Sequence, residues 1–180
     1  MPHMPSSRIF ASIASFMGNT AFRGKIVWFL LTCRPDLLPI DLKRQGRAEE
    51  HIALFYPQTD AERDELFKAM QKKTKVKVEF PEFSKLTSSG TYSGADIEAI
   101  LVRAKFRAVM EGREEVVTAD VEHVVRDFIP PSYPLEVELQ TLAAVQECTS
   151  RELLPEKYRK MDRGDVVRRV RELKTVMGLK

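Results

Sequence analysis

Ile26-Val27-Trp28-Phe29-Leu30-Leu31-Thr32-Cys33-Arg34-Pro35-Asp36 joins six consecutive apolar residues to a short polar cluster. The apolar run is β-prone and reads as a strand buried on both faces. Pro35 cannot donate to a ladder and marks where the strand stops. In open α/β sheets ligands bind outside the carboxyl ends of the strands, which makes Thr32-Cys33-Arg34-Pro35-Asp36 a candidate site. Downstream, a short helix is expected over Asp41 to Gln45, closed by Gly46, and His51 to Phe55 reads as a second short strand ended by Pro57. Strand, helix and strand together predict a parallel α/β layer. Arg44 and Arg47 sit three apart on or just beyond that helix. A guanidinium is always charged and offers paired donors, so the two suit phosphate. The same pair also reads as surface partners of Glu49 or Glu50, and spacing alone leaves both readings open.

Upstream, residues 1–7 read as a disordered start. Ser6-Ser7 are positioned to cap a helix over Arg8 to Met17, with Ile9, Ile13 and Phe16 on one face. Gly18 to Gly24 reads as a polar loop. After Pro57 the pattern turns helical. Thr59 and Glu62 have capping-box spacing ahead of an inward face of Leu66, Phe67 and Met70. Lys72 to Lys77 reads as a solvated loop, and Val76, Val78 and Phe80 alternate as a short extended piece would. Ser93 and Asp96 open another helix bearing Ile97, Ile100, Leu101, Ala104 and Ala108, ended by Gly112. Thr118 is placed to cap a helix with Val121, Val124, Val125 and Phe128, stopped by Pro130-Pro131. The tail carries two more stripes: Leu135, Leu139 and Leu142, then Val166, Val170, Leu173 and Met177. Arg168, Arg169 and Arg171 lie off the second stripe and read as a solvated face. The expected organisation is therefore a disordered start over 1–7, a core segment over 8–57, a helical bundle over 58–133 and an amphipathic helical extension over 134–180.

Composition excludes several classes. The chain has 180 residues, 43% of them hydrophobic and 31% charged, which is globular and not disordered. Its 29 Lys+Arg against 26 Asp+Glu leave a net charge of +3, too balanced to imply a specific nucleic-acid partner. No run approaches the ~18 apolar residues of a membrane helix. Cys33 and Cys148 make no disulfide framework, and His3, His51 and His123 share no metal motif, so no metal site is expected. Without a signal-peptide pattern, a cytoplasmic location with reduced thiols is expected.

Three ordered motifs are similar to those of one known family. The pattern of a hydrophobic strand, T-N-R-P-D-x-L and a helix ending R-x-G-R, found in AAA ATPases, resembles Thr32-Cys33-Arg34-Pro35-Asp36-Leu37-Leu38 and Arg44-Gln45-Gly46-Arg47 at the same spacing. Gly90-Thr91-Tyr92-Ser93-Gly94-Ala95-Asp96-Ile97 resembles that family's G-x-x-S-G-A-D-L, which opens the third helix of the helical lid. Val117-Thr118-Ala119-Asp120, followed by Pro130-Pro131-Ser132, resembles the limits of the last lid helix. The resemblance covers roughly residues 8–133 and implies the C-terminal part of an AAA module: the last two strands of a P-loop NTPase parallel sheet, then an all-α lid. Arg44 and Arg47 then match the trans arginine fingers, which stabilise charge on a phosphoryl group in a neighbouring subunit. Cys33 stands at the sensor-1 position, usually asparagine, and hydrogen-bonds poorly, so Thr32 is the candidate to cover part of that role. Gly94 and Ala95 match lid positions that contact adenosine.

Other family parts are missing from these residues. Gly18 to Gly24-Lys25-Ile26 has five residues between its glycines and no Ser or Thr after the lysine, so it is not a phosphate loop. No apolar run ends in Asp-Glu to hold magnesium. The expectation is a chain that begins mid-domain, in a parent using ATP and Mg²⁺, and that neither binds nor hydrolyses ATP alone. Its expected partners are identical subunits of an oligomeric ring and a macromolecular, most simply protein, substrate. The alternative is a degenerate, non-catalytic AAA remnant that serves as an interaction module. The resemblance offers no counterpart for the tail.

Overall fold

The computed structural model describes residues 5–79, 82–87 and 92–179. The chain divides into two units: residues up to Leu54 together with Tyr133 onward, and Phe55–Ser132.

In the first unit, helix α1 (Pro5–Met17) buries Ala14 and Met17 against Leu42, with Phe10, Ile13, Leu38 and Ala48 packed around them. The buried stripe is thus 10, 13, 14 and 17; Ile9 and Phe16 are exposed, because the apolar partner, Leu42, docks on the other side of the helix. The helix expected over Asp41 to Gln45 is a single 3-10 turn, Ile40–Leu42. Helix α6 (Pro134–Glu147) packs against α8 (Arg163–Val176) through Leu139, Leu142, Val166, Val170 and Leu173, and the one-turn helix α7 (Glu156–Arg159) lies between them in sequence. Arg169 of α8 grips the Glu138 carboxylate of α6 with two bonds of 2.8 and 3.0 Å.

The second unit is built on α4 (Gly94–Met110), which packs against α2 (Asp60–Thr74) on one side and α5 (Thr118–Asp127) on the other. The short helix α3 (Phe83–Leu86) stacks Phe83 on Phe67 of α2, ring centres 4.4 Å apart. Ile97, Ile100, Leu101, Ala104 and Ala108 are fully buried, following the 3.6-residue period. Both capping boxes form: the Thr59 hydroxyl accepts from the Glu62 N–H, and Ser93 and Asp96 are joined the same way. The helix at Thr118 starts one residue earlier than a Thr118 cap requires: Val117 is the cap position, and Asp120 turns back to accept from the Val117 N–H at 3.0 Å. Helix α2 also runs further than the loop expected over Lys72 to Lys77. Lys72 and Lys73 occupy its last turn, where cations complement the helix dipole, and Lys75 ends it at φ 57°. Phe80, Gly90 and Thr91 lie outside the described residues, as do residues 1–4.

The parallel-sheet core expected from residues 26–57 is overturned: among the described residues there is no strand, and the regular structure is helical throughout. Ile26–Leu31 is irregular chain with Val27, Phe29 and Leu31 78–89% exposed, and Ile52 and Leu54 are exposed likewise. A β-prone run makes a strand only when another backbone supplies the ladder, and the two runs do not pair with each other. Trp28 rests edge-on against Phe16 of α1, ring centres 5.6 Å apart.

Candidate functional site

The arginine pair sits on a tight loop after the 3-10 turn. Arg47 N–H donates to the Arg44 carbonyl at 3.1 Å, Ala48 N–H to the Leu42 carbonyl at 3.1 Å, and Gly46 adopts φ +81°, which a side chain would strain. The Gly46 N–H donates to the Glu49 carboxylate at 2.8 Å, so Glu49 serves the turn's backbone. The two guanidiniums differ. Arg44 is 67% exposed and, among the described residues, pairs with Asp41 alone, at 3.5 Å. Arg47 is half-buried: its Nη1 donates to the Asp41 carbonyl at 2.5 Å, and its Nε lies 3.2 Å from where a Cβ on Gly18 would stand.

Upstream, Thr32 Oγ1 accepts from the Arg34 N–H at 3.0 Å and Cys33 is an exposed free thiol. Arg34 and Asp36 form a two-bond pair, each bond 2.9 Å, and Lys174 of α8 reaches the same carboxylate at 2.8 Å. The Arg34 hydrogen bonds, with Lys174 adding to them against burial, hold the Asp36 carboxyl far below the usual carboxylate range. Arg34 and Asp36 are thus spent on each other. Gly94 and Ala95 lie in the other unit, in the first turn of α4; Gly94 packs on Leu66 and Met70, and Ala95 is exposed. Among the described residues no three His, Cys, Asp or Glu side chains gather to hold a metal ion, and no helix is long and apolar enough to cross a membrane.

A second set of residues at the loop has no motif to announce it. His51 places Nδ1 2.8 Å from the Glu147 carbonyl and Nε2 2.8 Å from the Ala48 carbonyl. Lys43 Nζ meets the Glu147 carboxylate at 2.7 Å. These partners are 96 and 104 residues apart in sequence, so no spacing rule reaches them.

Comparison with known proteins gives an ancestry. The chain is 35% identical over 104 residues to the proteasome-activating nucleotidase of Methanococcus vannielii, covering 57% of this chain and 25% of that protein. It is 30% identical over 128 residues to the uncharacterized AAA domain-containing protein ycf46 of Trieres chinensis, covering 69% and 25%. It is 31% identical over 103 residues to the 26S proteasome subunit RPT4 of Saccharomyces cerevisiae, covering 57% and 23%. The homologues are AAA ATPases, and the chain spans about a quarter of the length of these curated relatives. No family model and no solved structure matches it.

Proposed function

We propose that this chain, whose homologues are AAA ATPases, is the part of an AAA module that supplies arginine fingers and a nucleotide-contacting helical lid to neighbouring subunits of an oligomeric ring. The observation that carries this is Arg44: a 67% exposed guanidinium with one long ion pair, on a loop whose backbone is locked by hydrogen bonds. Such a cation is free to reach outward to phosphate oxygens without first breaking a strong internal contact. Residues 58–133 are the lid, with Gly94 and Ala95 against the adenosine of the bound nucleotide. The parent uses ATP and Mg²⁺ to remodel a macromolecular substrate, most simply a protein, in the cytoplasm; two free cysteines fit a reducing compartment.

The residues present do not fit a complete nucleotide site in cis. The sequence has no glycine-rich phosphate loop, and no acidic cluster for magnesium gathers among the described residues. The role assigned to this chain is therefore in trans. In the assembled parent, Arg44→Ala is expected to leave ATP binding nearly intact and to lower hydrolysis by about 10³-fold, the usual worth of a trans arginine. Hydrolysis at the parent rate in that variant removes the finger reading. A non-catalytic interaction module is the second reading, and Cys33 favours it, because a thiol orients water poorly at the sensor-1 position.

A further inference from the structure

We propose that helix α6 positions the arginine loop through its last residue, Glu147, and that the His51 imidazole makes this joint proton-dependent. The consequence for nucleotide chemistry rests on the finger reading, while the joint itself stands on distances. The Glu147 carboxylate takes Lys43, the residue just before Arg44, at 2.7 Å. The Glu147 carbonyl is among the last four of α6, which have no partner within the helix. His51 Nδ1 stands 2.8 Å from that oxygen, and Nε2 2.8 Å from the Ala48 carbonyl, one residue past Arg47. The backbone is joined at the same place: His51 N–H donates to Thr149 Oγ1 at 3.0 Å, and Thr149 N–H to the His51 carbonyl at 3.3 Å.

Both ring nitrogens face carbonyl oxygens, which only accept. A neutral imidazole carries one N–H and satisfies one of them; the imidazolium donates to both. The Glu147 carboxylate also faces the ring, its Oε2 3.9 Å from Nδ1. Lys43 neutralises part of that carboxylate. Glu50 approaches through the Thr149 hydroxyl at 3.4 Å, and Arg163 of α8 donates to the Gln146 carbonyl at 3.1 Å. Two carboxylates and two cations thus surround the joint, and the ring's proton decides how many donors it offers. Proton loss strips the donor from either Ala48 or Glu147 and releases one end of the loop that carries Arg44. Glu147 and His51 are positioning residues: they act through the loop and touch no phosphate.

Amide hydrogen exchange on the 180-residue chain tests this, with rates corrected for intrinsic chemistry. Raising the pH from about 5.5 to about 8 is expected to raise opening of residues 44–50 about fivefold, the equilibrium effect of one lost hydrogen bond. His51→Gln is expected to abolish this step and to leave the loop at the more open level throughout. Glu147→Gln, which keeps the carbonyl, is expected to raise loop exchange at every pH while retaining a step. Exchange at 44–50 that is flat with pH in the unmodified chain, or a step that survives His51→Gln, overturns the joint. Neither outcome bears on Arg44, whose role is read separately from ATP hydrolysis in the parent.

Discussion

Arg44 and Arg47 are alike in sequence and unlike in place. Arg44 reaches outward, whereas Arg47 is bound to the Asp41 carbonyl and seated over Gly18. Arg47→Ala is therefore expected to lower hydrolysis in the parent and also to speed amide exchange around Ala48, which Arg44→Ala does not. Exchange unchanged in Arg47→Ala refutes the holding role. Asp120 is the buried carboxylate of the helical unit; it accepts from both Arg113 Nη atoms at 2.9 and 2.8 Å and lies 3.3 Å from Arg107. The Arg113 hydrogen bonds, helped by the Val117 N–H and opposed by burial, hold its carboxyl below the ordinary value. A lowered folded-state value means stability that is present above the unfolded carboxylate range near pH ~4. That stability is lost as the pH falls through the lower folded value. Asp120→Asn is expected to cost roughly 1–3 kcal/mol at neutral pH and to flatten the acid limb. Denaturation midpoints measured down the acid range check both, and an unchanged acid limb contradicts the assignment.

Helix α4 shows how a stripe and its opposite divide one element. Leu101 is fully buried, whereas Val102, Phe106, Val109 and Met110 line the outer face and are exposed. Leu101→Ala is expected to cost about 2–5 kcal/mol through lost contacts and a cavity. Phe106→Glu is expected to stay within about 0.5 kcal/mol, as surface changes do. Two similar midpoints in urea would mean that the outer face is covered. The start of the same helix depends on Ser93, whose hydroxyl meets the Asp96 N–H at 3.1 Å. Ser93→Ala is expected to cost about 1 kcal/mol by freeing that N–H. A midpoint that does not move would show the cap to be replaceable by water.

For the chain taken together, one helix and one irregular segment stand at opposite extremes of burial. Residues 97–108 of α4 are helical and buried on one side, while 26–31 are irregular and expose large apolar side chains. Slow amide exchange at Ile97 to Ala108 and fast exchange at Val27 to Leu31 are expected; equal protection of both would require a backbone partner for the second segment. The helical stripes over 58–131 and in the tail were legible because helix hydrogen bonds and i, i+3, i+4 side-chain rows are local, so a few residues suffice to specify them. Thr59 with Glu62 and Ser93 with Asp96 were legible for the same reason, since each cap closes within three residues. The expected strands do not form because a ladder is a relation between distant segments: Ile26–Leu31 has the side chains of a buried strand and, among the described residues, no strand beside it. The loop at Arg44 was visible as R-x-G-R, but its differing guanidiniums depend on Gly18 and Asp41 folding around one of them. His51, unremarkable in sequence, takes its importance from Glu147, which lies 96 residues away along the chain and meets it only when α6 ends beside the loop. Local periodicity and capping chemistry are written in neighbouring residues, whereas pairing, burial and the partners of a charge arise only when separated segments share space.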